Sequence, residues 1–343
     1  MRSMHLEKKR LGELLSRIAH VRAAVVGDVC LDAYWIADMR RSALSRETPH
    51  HNLPVVEERY ALGGAGNVIG NMCALGAQVY PVTALGDDWR GGIVRSLMDA
   101  LSLVRDGLIV VPGRVTPTYV KPYRCGYGGV RYEDPRIDFE NALPLPMEAQ
   151  EALVDALLQA AAHCDVVAVS DQMAAGVVAS RVREALCALC ASGKTVIVDS
   201  RERVDAFVGC IIKPNELEAA RASGMTPQEV TPQAYLPVAE ALSAKTGAGV
   251  IVTLGAAGAM CLSREGEACF APGVRVPPPV DIVGAGDSFL SACALALGAG
   301  AALGEAIALG NLASAVTIQK LGQTGTASAQ EICAQYDHQN ADA

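Results

Sequence analysis

From residue 147 onward, short apolar runs alternate with longer helical patterns, and each apolar run ends in a knot of polar or turn-forming residues. Residues 166–169 lead into Ser170-Asp171, 195–198 into Asp199-Ser200-Arg201, 210–212 into Lys213-Pro214-Asn215, and 249–253 into Leu254-Gly255. Helical patterns over 148–163 and 179–192 lie between them. Strands joined through helices run parallel, with right-handed crossovers, and need cover on both faces. The expected fold class is therefore α/β, a mostly parallel sheet between helical layers. On such sheets ligands collect beyond the carboxyl ends of the strands, where the polar knots fall.

The first half of the chain is more mixed. A surface helix is expected over 6–18, a strand over 23–26 ended by Gly27-Asp28, a helix over 67–75 stopped by Gly76, a strand over 78–85 and a helix over 93–101. The stretch 32–58 is too polar for a packed helix, with a short peripheral strand expected at 55–58. Residues 109–139 alternate, are rich in Thr, Tyr and Val, and carry Gly126, Gly128 and Gly129, so antiparallel strands about a flexible turn are expected. One domain is expected to span 1–343, with a small β unit from about 33–60 and 109–139.

Composition narrows the function. The chain is 51% hydrophobic but only 4% aromatic, which suits a core of Val, Leu, Ile and Ala. A net charge of −8 gives nucleic-acid binding no electrostatic support. No apolar run reaches the roughly 20 residues of a membrane span, and the charged N-terminus has no signal-peptide core. The 11 cysteines are scattered, and Cys187-x-x-Cys190 lies in a helical pattern without a second pair or a nearby His, so buried free thiols in a reducing cytoplasm are expected. His50-His51 is isolated and no HExxH occurs, so no histidine-based metal site is expected.

The segment from Asp281 through Val283, Gly284, Ala285, Gly286 and Asp287 to Ser288-Phe289 carries the clearest chemistry. It precedes an Ala-rich helical run. Backbone N–H groups of Gly284, Ala285 and Gly286 at such a turn can cradle an anion, and Asp287 sits in the first turn of the helix. An anion cradle beside a carboxylate suits phosphoryl transfer to an alcohol: the N–H groups hold developing charge and the carboxylate takes the hydroxyl proton. The same residues also read as a Gly-rich turn with Asp at a helix N-terminus. No GxxxxGK[ST] occurs, and the glycines at 63, 64, 66 and 70 miss the dinucleotide spacing.

Two signatures, Gly63-Gly64-Ala65-Gly66-Asn67 with Asn71, and Asp281 to Asp287, stand in order with Asn215-x-x-Glu218 and Val252-Thr253-Leu254-Gly255 between them. Together they resemble the ribokinase-like (PfkB) sugar kinases over about 22–331. The resemblance implies a ribokinase-like three-layer sandwich with a small β-strand lid, and ATP with Mg²⁺ as cofactors. It implies Asp287 as catalytic base and Gly284, Ala285 and Gly286 as anion hole. Asp32, Gly63, Gly64 and Asn67 would bind the sugar; Asn215 and Glu218 would organise Mg²⁺ through water; Thr253, Gly255 and Gly258 would form the nucleotide turn, with Asn311 closing over adenine. Asp281 and the Val283 carbonyl match a monovalent-cation loop, so K⁺ activation is implied as well. Asp32 also reads as a turn residue, and Asn215 with Glu218 as a helix capping box. Because a loose transition state releases its proton late, Asp287 needs no raised pKa on this reading.

Within that family the chain is most similar to bacterial heptose-phosphate kinases, through residues 27–35, Leu44-Ser45-x-Glu47-x-Pro49 and Arg136-Ile137-Asp138-Phe139-Glu140. It departs from them at Gln172-Met173-Ala174-Ala175-Gly176, where an aromatic and a lysine are usual, and at Asp199-Ser200-Arg201, where Asp-Pro-Lys is usual. The 343 residues leave no room for an attached nucleotidyltransferase domain. A second phosphate on the substrate would fall to Lys121, Arg124, Arg131 and Arg136. A homodimer through the lid is the implied assembly. The readings that compete are a PfkB kinase for a hexose, ketose phosphate or nucleoside, and a sugar-binding relative without turnover.

Overall fold

The computed structural model describes residues 1–341. Its large sheet has ten strands, in the order β1 (Arg2–Ser3), β15 (Ala268–Pro272), β14 (Gly258–Leu262), β13 (Val250–Thr253), β12 (Ile211–Ile212), β11 (Val196–Ser200), β10 (Val166–Asp171), β2 (Arg22–Gly27), β5 (Gln78–Gly86) and β6 (Leu108–Val111). Pairing is parallel except between β13, β14 and β15. A second sheet holds β4 (Val55–Gly64), β3 (Val29–Asp38), β7 (Thr118–Cys125) and β8 (Arg131–Glu133), with β9 (Ile137–Phe139) beside β7.

Strand residues of the large sheet alternate between two cores, as a two-residue period requires. Ala23 and Val25, Val166 and Ala168, Ile197 and Ile251 pack into one core. Ala24 and Val26, Val167 and Val169, Val196, Val198, Val250 and Val252 pack into the other. The first core is covered by α1 (Lys8–Ile18), α2 (Ala65–Ala74), α3 (Trp89–Asp99), α8 (Ala285–Gly298), α9 (Leu303–Thr317) and α10 (Ala329–Ala341). The second is covered by α4 (Met147–His163), α5 (Ser180–Ala191), α6 (Glu216–Ser223) and α7 (Pro232–Thr246). This is the three-layer α/β sandwich expected. Ala-rich α8 and α9 lie close together because their facing side chains are small, and both are buried along most of their length.

Three segments differ from expectation. Residues 29–38 form one ten-residue strand, β3, buried on both faces. Its polar Asp32 and Tyr34 point inward, so the sequence lacks the apolar run that would mark such a strand. Residues 108–111 are not part of the small sheet: β6 extends the large one, parallel to β5. Strand β7 then pairs parallel, not antiparallel, with β3. Residues 258–272 form an antiparallel hairpin, β14 and β15, beyond β13.

Among the described residues, no helix is long and apolar enough to cross a membrane.

Candidate active site

Strand β4 ends at Gly63-Gly64, and α2 starts at Ala65, whose N–H donates to the carbonyl of Asp28 (2.9 Å). That bond ties the start of α2 to the carboxyl end of β2. One turn in, the Asn67 Nδ2 donates to the Asp287 Oδ2 (2.9 Å), joining residues 220 apart in sequence. The N-termini of α2 and α8 therefore meet, with Asn67 and Asp287 at the junction. Gly284, the residue before α8, has φ of 80°, and a Cβ there would sit 2.4 Å from the Thr324 Cγ2. Glycine is required at this turn on both counts. The Ala285 N–H is taken by the Ile282 carbonyl (3.2 Å), so of the expected anion hole, Gly286 is the residue within the helix left to present its N–H, alongside Asp287.

Asp287 is only partly exposed on the cleft floor. Desolvation pushes its carboxyl from 3.8 up to about 7; the Asn67 amide opposes this, Asp199 and Asp32 add to it, and Lys213 opposes it. The raised value departs from the sequence reading, which needed none. It follows from a carboxylate enclosed by helix ends and facing two others of its own sign.

Asp32 is 4% exposed on β3 and pairs with the Lys121 Nζ of β7 (2.9 Å). Lys121 also donates to the Tyr34 hydroxyl (3.3 Å). Burial alone would depress the Lys121 ammonium, but Asp32 outweighs it and the pKa is raised. A Cβ on Gly63 would lie 2.7 Å from the Asp32 Oδ1, so glycine is what lets this carboxylate close on the turn. On the resemblance noted in the sequence, Gly63→Ala is expected to displace Asp32 and raise the KM for the acceptor about tenfold; steady-state kinetics at varied acceptor measure it.

The other expected cations are spread out. Arg136 makes a two-pronged pair with Asp138 (2.6 and 2.7 Å) and lies 4.2 Å over the Tyr119 ring, whose register partner on β3 is Asp32. Arg124 pairs with Asp134 (2.6 Å) at the far end of β7, and Arg131 is exposed on β8. Lys121 and Arg136 thus belong near Asp32; Arg124 and Arg131 do not.

On the other side of Asp287 stands a residue the sequence reading passed over. Lys213, 3% exposed, follows β12 and places its Nζ 2.9 Å from the Asp199 Oδ2 and 5.9 Å from the Phe289 ring of α8. Burial alone would depress its ammonium; Asp199 and then Glu218 more than offset this, and its pKa is raised. A lysine directly after a short apolar strand was the available signal.

Asn215 and Glu218 form a capping box on α6. The Asn215 Oδ1 accepts from the N–H groups of Leu217 (3.0 Å) and Glu218 (2.8 Å), and the Glu218 Oε2 accepts from the Asn215 N–H (2.9 Å). Burial, then Asp199, pushes the Glu218 carboxyl up. Thr253 is bridged to Asn215 by its N–H bond to the Pro214 carbonyl (3.1 Å). Gly255 opens the turn that follows, with free space where a side chain would stand.

Gly258 and Asn311, expected on the nucleotide side, both brace the backbone of β15. A Cβ on Gly258 would come within 2.3 Å of the Ala271 carbonyl. The Asn311 Nδ2 donates to the carbonyls of Ala271 (2.9 Å) and Pro272 (3.1 Å). Both residues hold the end of β15, and the buried Asn311 amide has its donors committed to backbone. Asn311→Ala is expected to destabilise the protein by about 1–2 kcal/mol, since two buried carbonyls lose their donor, while the KM for ATP stays within about twofold; thermal melts and ATP titration separate the two readings.

Asp281 braces the loop before α8. Its Oδ1 accepts from the Val283 N–H (3.1 Å) and its Oδ2 from the Gly322 N–H (3.0 Å). The nearby Thr324 Oγ1 is buried without a partner. A cavity of about 700 Å³ lies elsewhere, at the amino ends of β2 and β5 against His20, Arg22 and Arg105.

A carboxylate at a helix N-terminus, a second carboxylate held by lysine, and a buried lysine on the far side of the first mark a class, the phosphotransferases with an alcohol group as acceptor. The model of the pfkB family carbohydrate kinases matches residues 22–330, and the chain belongs to that family. It is 32% identical over 341 residues to Bifunctional protein HldE of Geotalea uraniireducens (strain Rf4), covering 98% of this chain and 67% of that one. It is 33% identical over 330 residues to Bifunctional protein HldE of Desulfatibacillum aliphaticivorans, covering 95% and 65%. The chain thus spans about two thirds of the length of these relatives. Among solved structures, phosphofructokinase-2 from Escherichia coli in complex with substrates and products aligns with a TM-score of 0.73 at 20% identity, covering 93% of this chain and 100% of that one. Arabidopsis thaliana ribokinase complexed with ribose and ATP aligns with a TM-score of 0.65 at 19% identity, covering 92% and 98%. The fold is ribokinase-like.

Proposed function

We propose that the chain transfers the γ-phosphate of ATP to a hydroxyl of a sugar phosphate, with a heptose 7-phosphate as the acceptor to test first. The observation that carries this reading is the Asn67–Asp287 bond at the junction of two helix N-termini, with Asp32 held by Lys121 alongside. Asp32 accepts hydrogen bonds from sugar hydroxyls, and Asn67 both orients Asp287 and faces the acceptor. Asp287, ionised, takes the proton from the attacking hydroxyl. The free N–H groups at the start of α8 meet charge on the transferred phosphoryl group, and Lys213 sets a fixed positive charge beside it. Closure of the small sheet as a lid excludes water.

Mg²⁺ fits the donor chemistry here: Asp199, Asn215 and Glu218 supply hard oxygens. Among the described residues no three acidic, His or Cys side chains converge to hold a metal directly, so these groups would hold it through water and the phosphates. When bound, it neutralises phosphate charge. The unpartnered Thr324 Oγ1 beside Gly284, with the Val283 carbonyl, suits K⁺; phosphofructokinase-2 from Escherichia coli has been solved in complex with potassium. The small sheet exposes Val55, Val56, Tyr132 and Ile137, which supports a homodimer through that sheet.

One observation favours an acceptor without a phosphate. Lys121, Arg124 and Arg136 all have carboxylate partners, so the small sheet offers little unspent positive charge. Consumption of Mg·ATP over a panel of sugars and sugar phosphates, with and without K⁺, decides between them. Turnover on a heptose 7-phosphate is expected. Turnover confined to unphosphorylated sugars would move the acceptor class, and binding without any turnover would leave a non-catalytic relative.

A further inference from the structure

The Cys187-x-x-Cys190 pair lies in the last turns of α5, away from the kinase cleft, and the fold brings it a third thiol. Cys210, fully buried, stands at the entry to β12. The segment 206–210 packs flat against the turn 186–190. The Cys210 Sγ lies 3.9 Å from the Leu186 carbonyl, which is the helical acceptor for the Cys190 N–H, and 3.9 Å from the Val208 carbonyl. The Cys187 Sγ lies 4.0 Å from the Ala206 carbonyl. The Cys190 Cβ is 3.2 Å from where a Cβ on Gly209 would stand, so glycine at 209 lets the two segments close. The Cys210 thiol therefore stands against the helical turn that carries Cys187 and Cys190. Cys187 and Cys190 are half-exposed, so one end of this sulfur group meets solvent and the other is sealed.

We propose that Cys190 and Cys210 form a reversible disulfide, making this turn a two-electron oxidation site for hydroperoxides. The half-exposed Cys190 sulfur attacks the peroxide O–O bond, giving a sulfenic acid and water. Cys210, on the facing segment, displaces the hydroxyl from sulfur, releasing a second water and closing the S–S bond. Two thiols and one hydrogen peroxide thus give one disulfide and two waters, and a dithiol reductant reverses the change. Reaction is slow on this geometry. The thiols sit at the C-terminal end of α5, whose dipole disfavours thiolate, and burial pushes the neighbouring Cys187 thiol up. The bond closes a loop of about twenty residues and stabilises the folded chain. It also ties α5 to β12, the strand that delivers Lys213. The inference does not depend on the kinase reading.

The test uses the full chain with Cys333→Ser, which removes the exposed thiol. After hydrogen peroxide treatment and quenching, thiols are counted in denaturant and tryptic peptides mapped without reduction. The expected result is loss of two thiols, restored by dithiothreitol, a cross-link between peptides 184–194 and 204–221, and a melting temperature several degrees higher. Adding Cys187→Ser keeps the cross-link; adding either Cys190→Ser or Cys210→Ser removes it. A cross-link that survives Cys190→Ser overturns the pairing. No thiol loss, or loss that dithiothreitol does not restore, overturns the site.

Discussion

Replacing Asp287 with Asn is expected to lower kcat by about 10²–10⁴-fold, the usual contribution of a positioned general base, while ATP and acceptor still bind. The amide keeps the shape and can still meet Asn67, but it cannot take a proton. The pH profile gives an independent reading. With its pKa near 7, Asp287 is protonated and unable to accept below that value, so kcat/KM should rise as pH increases through about 7 and level off above it. Stability runs the other way. Asp287 and the fully buried Asp28 both have carboxyls raised from 3.8 to about 7, so the folded chain holds these protons more tightly than the unfolded one. The stability they contribute is complete below about pH 4 and is lost as pH rises through 7. Asp287→Asn should therefore melt higher than the parent at pH 8, with the gain vanishing at pH 4. A variant that melts higher at pH 8 yet keeps full turnover would remove Asp287 from the mechanism without questioning its burial.

Lys213→Met carries the second large effect. It leaves the Asp199 carboxylate, 8% exposed, without its partner. Breaking such a pair typically costs about 3–5 kcal/mol. It also removes the fixed positive charge beside Asp287, so turnover should fall by at least about a hundredfold. Pairing the change with Asp199→Asn separates the two roles: denaturant melts of the double variant should recover most of the stability, and assays should recover none of the turnover. Recovery of both would make the pair purely structural.

Lys213 shows where sequence reading stops. The alternation of apolar runs and helices was visible because each buried strand carries its own pattern, and the DIVGAGD-type turn was visible because glycine and aspartate have few reasons to alternate there. Lys213 looks like an ordinary residue before a proline. Its importance arises only from Asp199 on the neighbouring strand and Phe289 on α8, both distant in sequence. Strand β3 was hidden for the same reason: Asp32 and Tyr34 interrupt an apolar pattern, and Lys121 from β7 is what makes their burial tolerable. At Asn311 the motif position implied a ligand contact, and its two bonds to carbonyls of β15 were not visible in the sequence. The Asn215–Glu218 pair forms the capping box that its spacing also allowed.

The meeting of Asn67 and Asp287 has a consequence for how the enzyme is born. The base sits near the end of the chain, its loop is braced from Gly322, and Asn71 on α2 accepts from the N–H of Ala327. On the proposed mechanism, a chain still being synthesised carries its acceptor-side residues, Asp32, Asn67 and Lys121, long before it has a base to use them. Nascent or truncated chains that stop short of these last contacts should bind sugar weakly and spend no ATP. On that mechanism, phosphoryl transfer begins only when α2 and the segment from 281 to 327 have closed on each other.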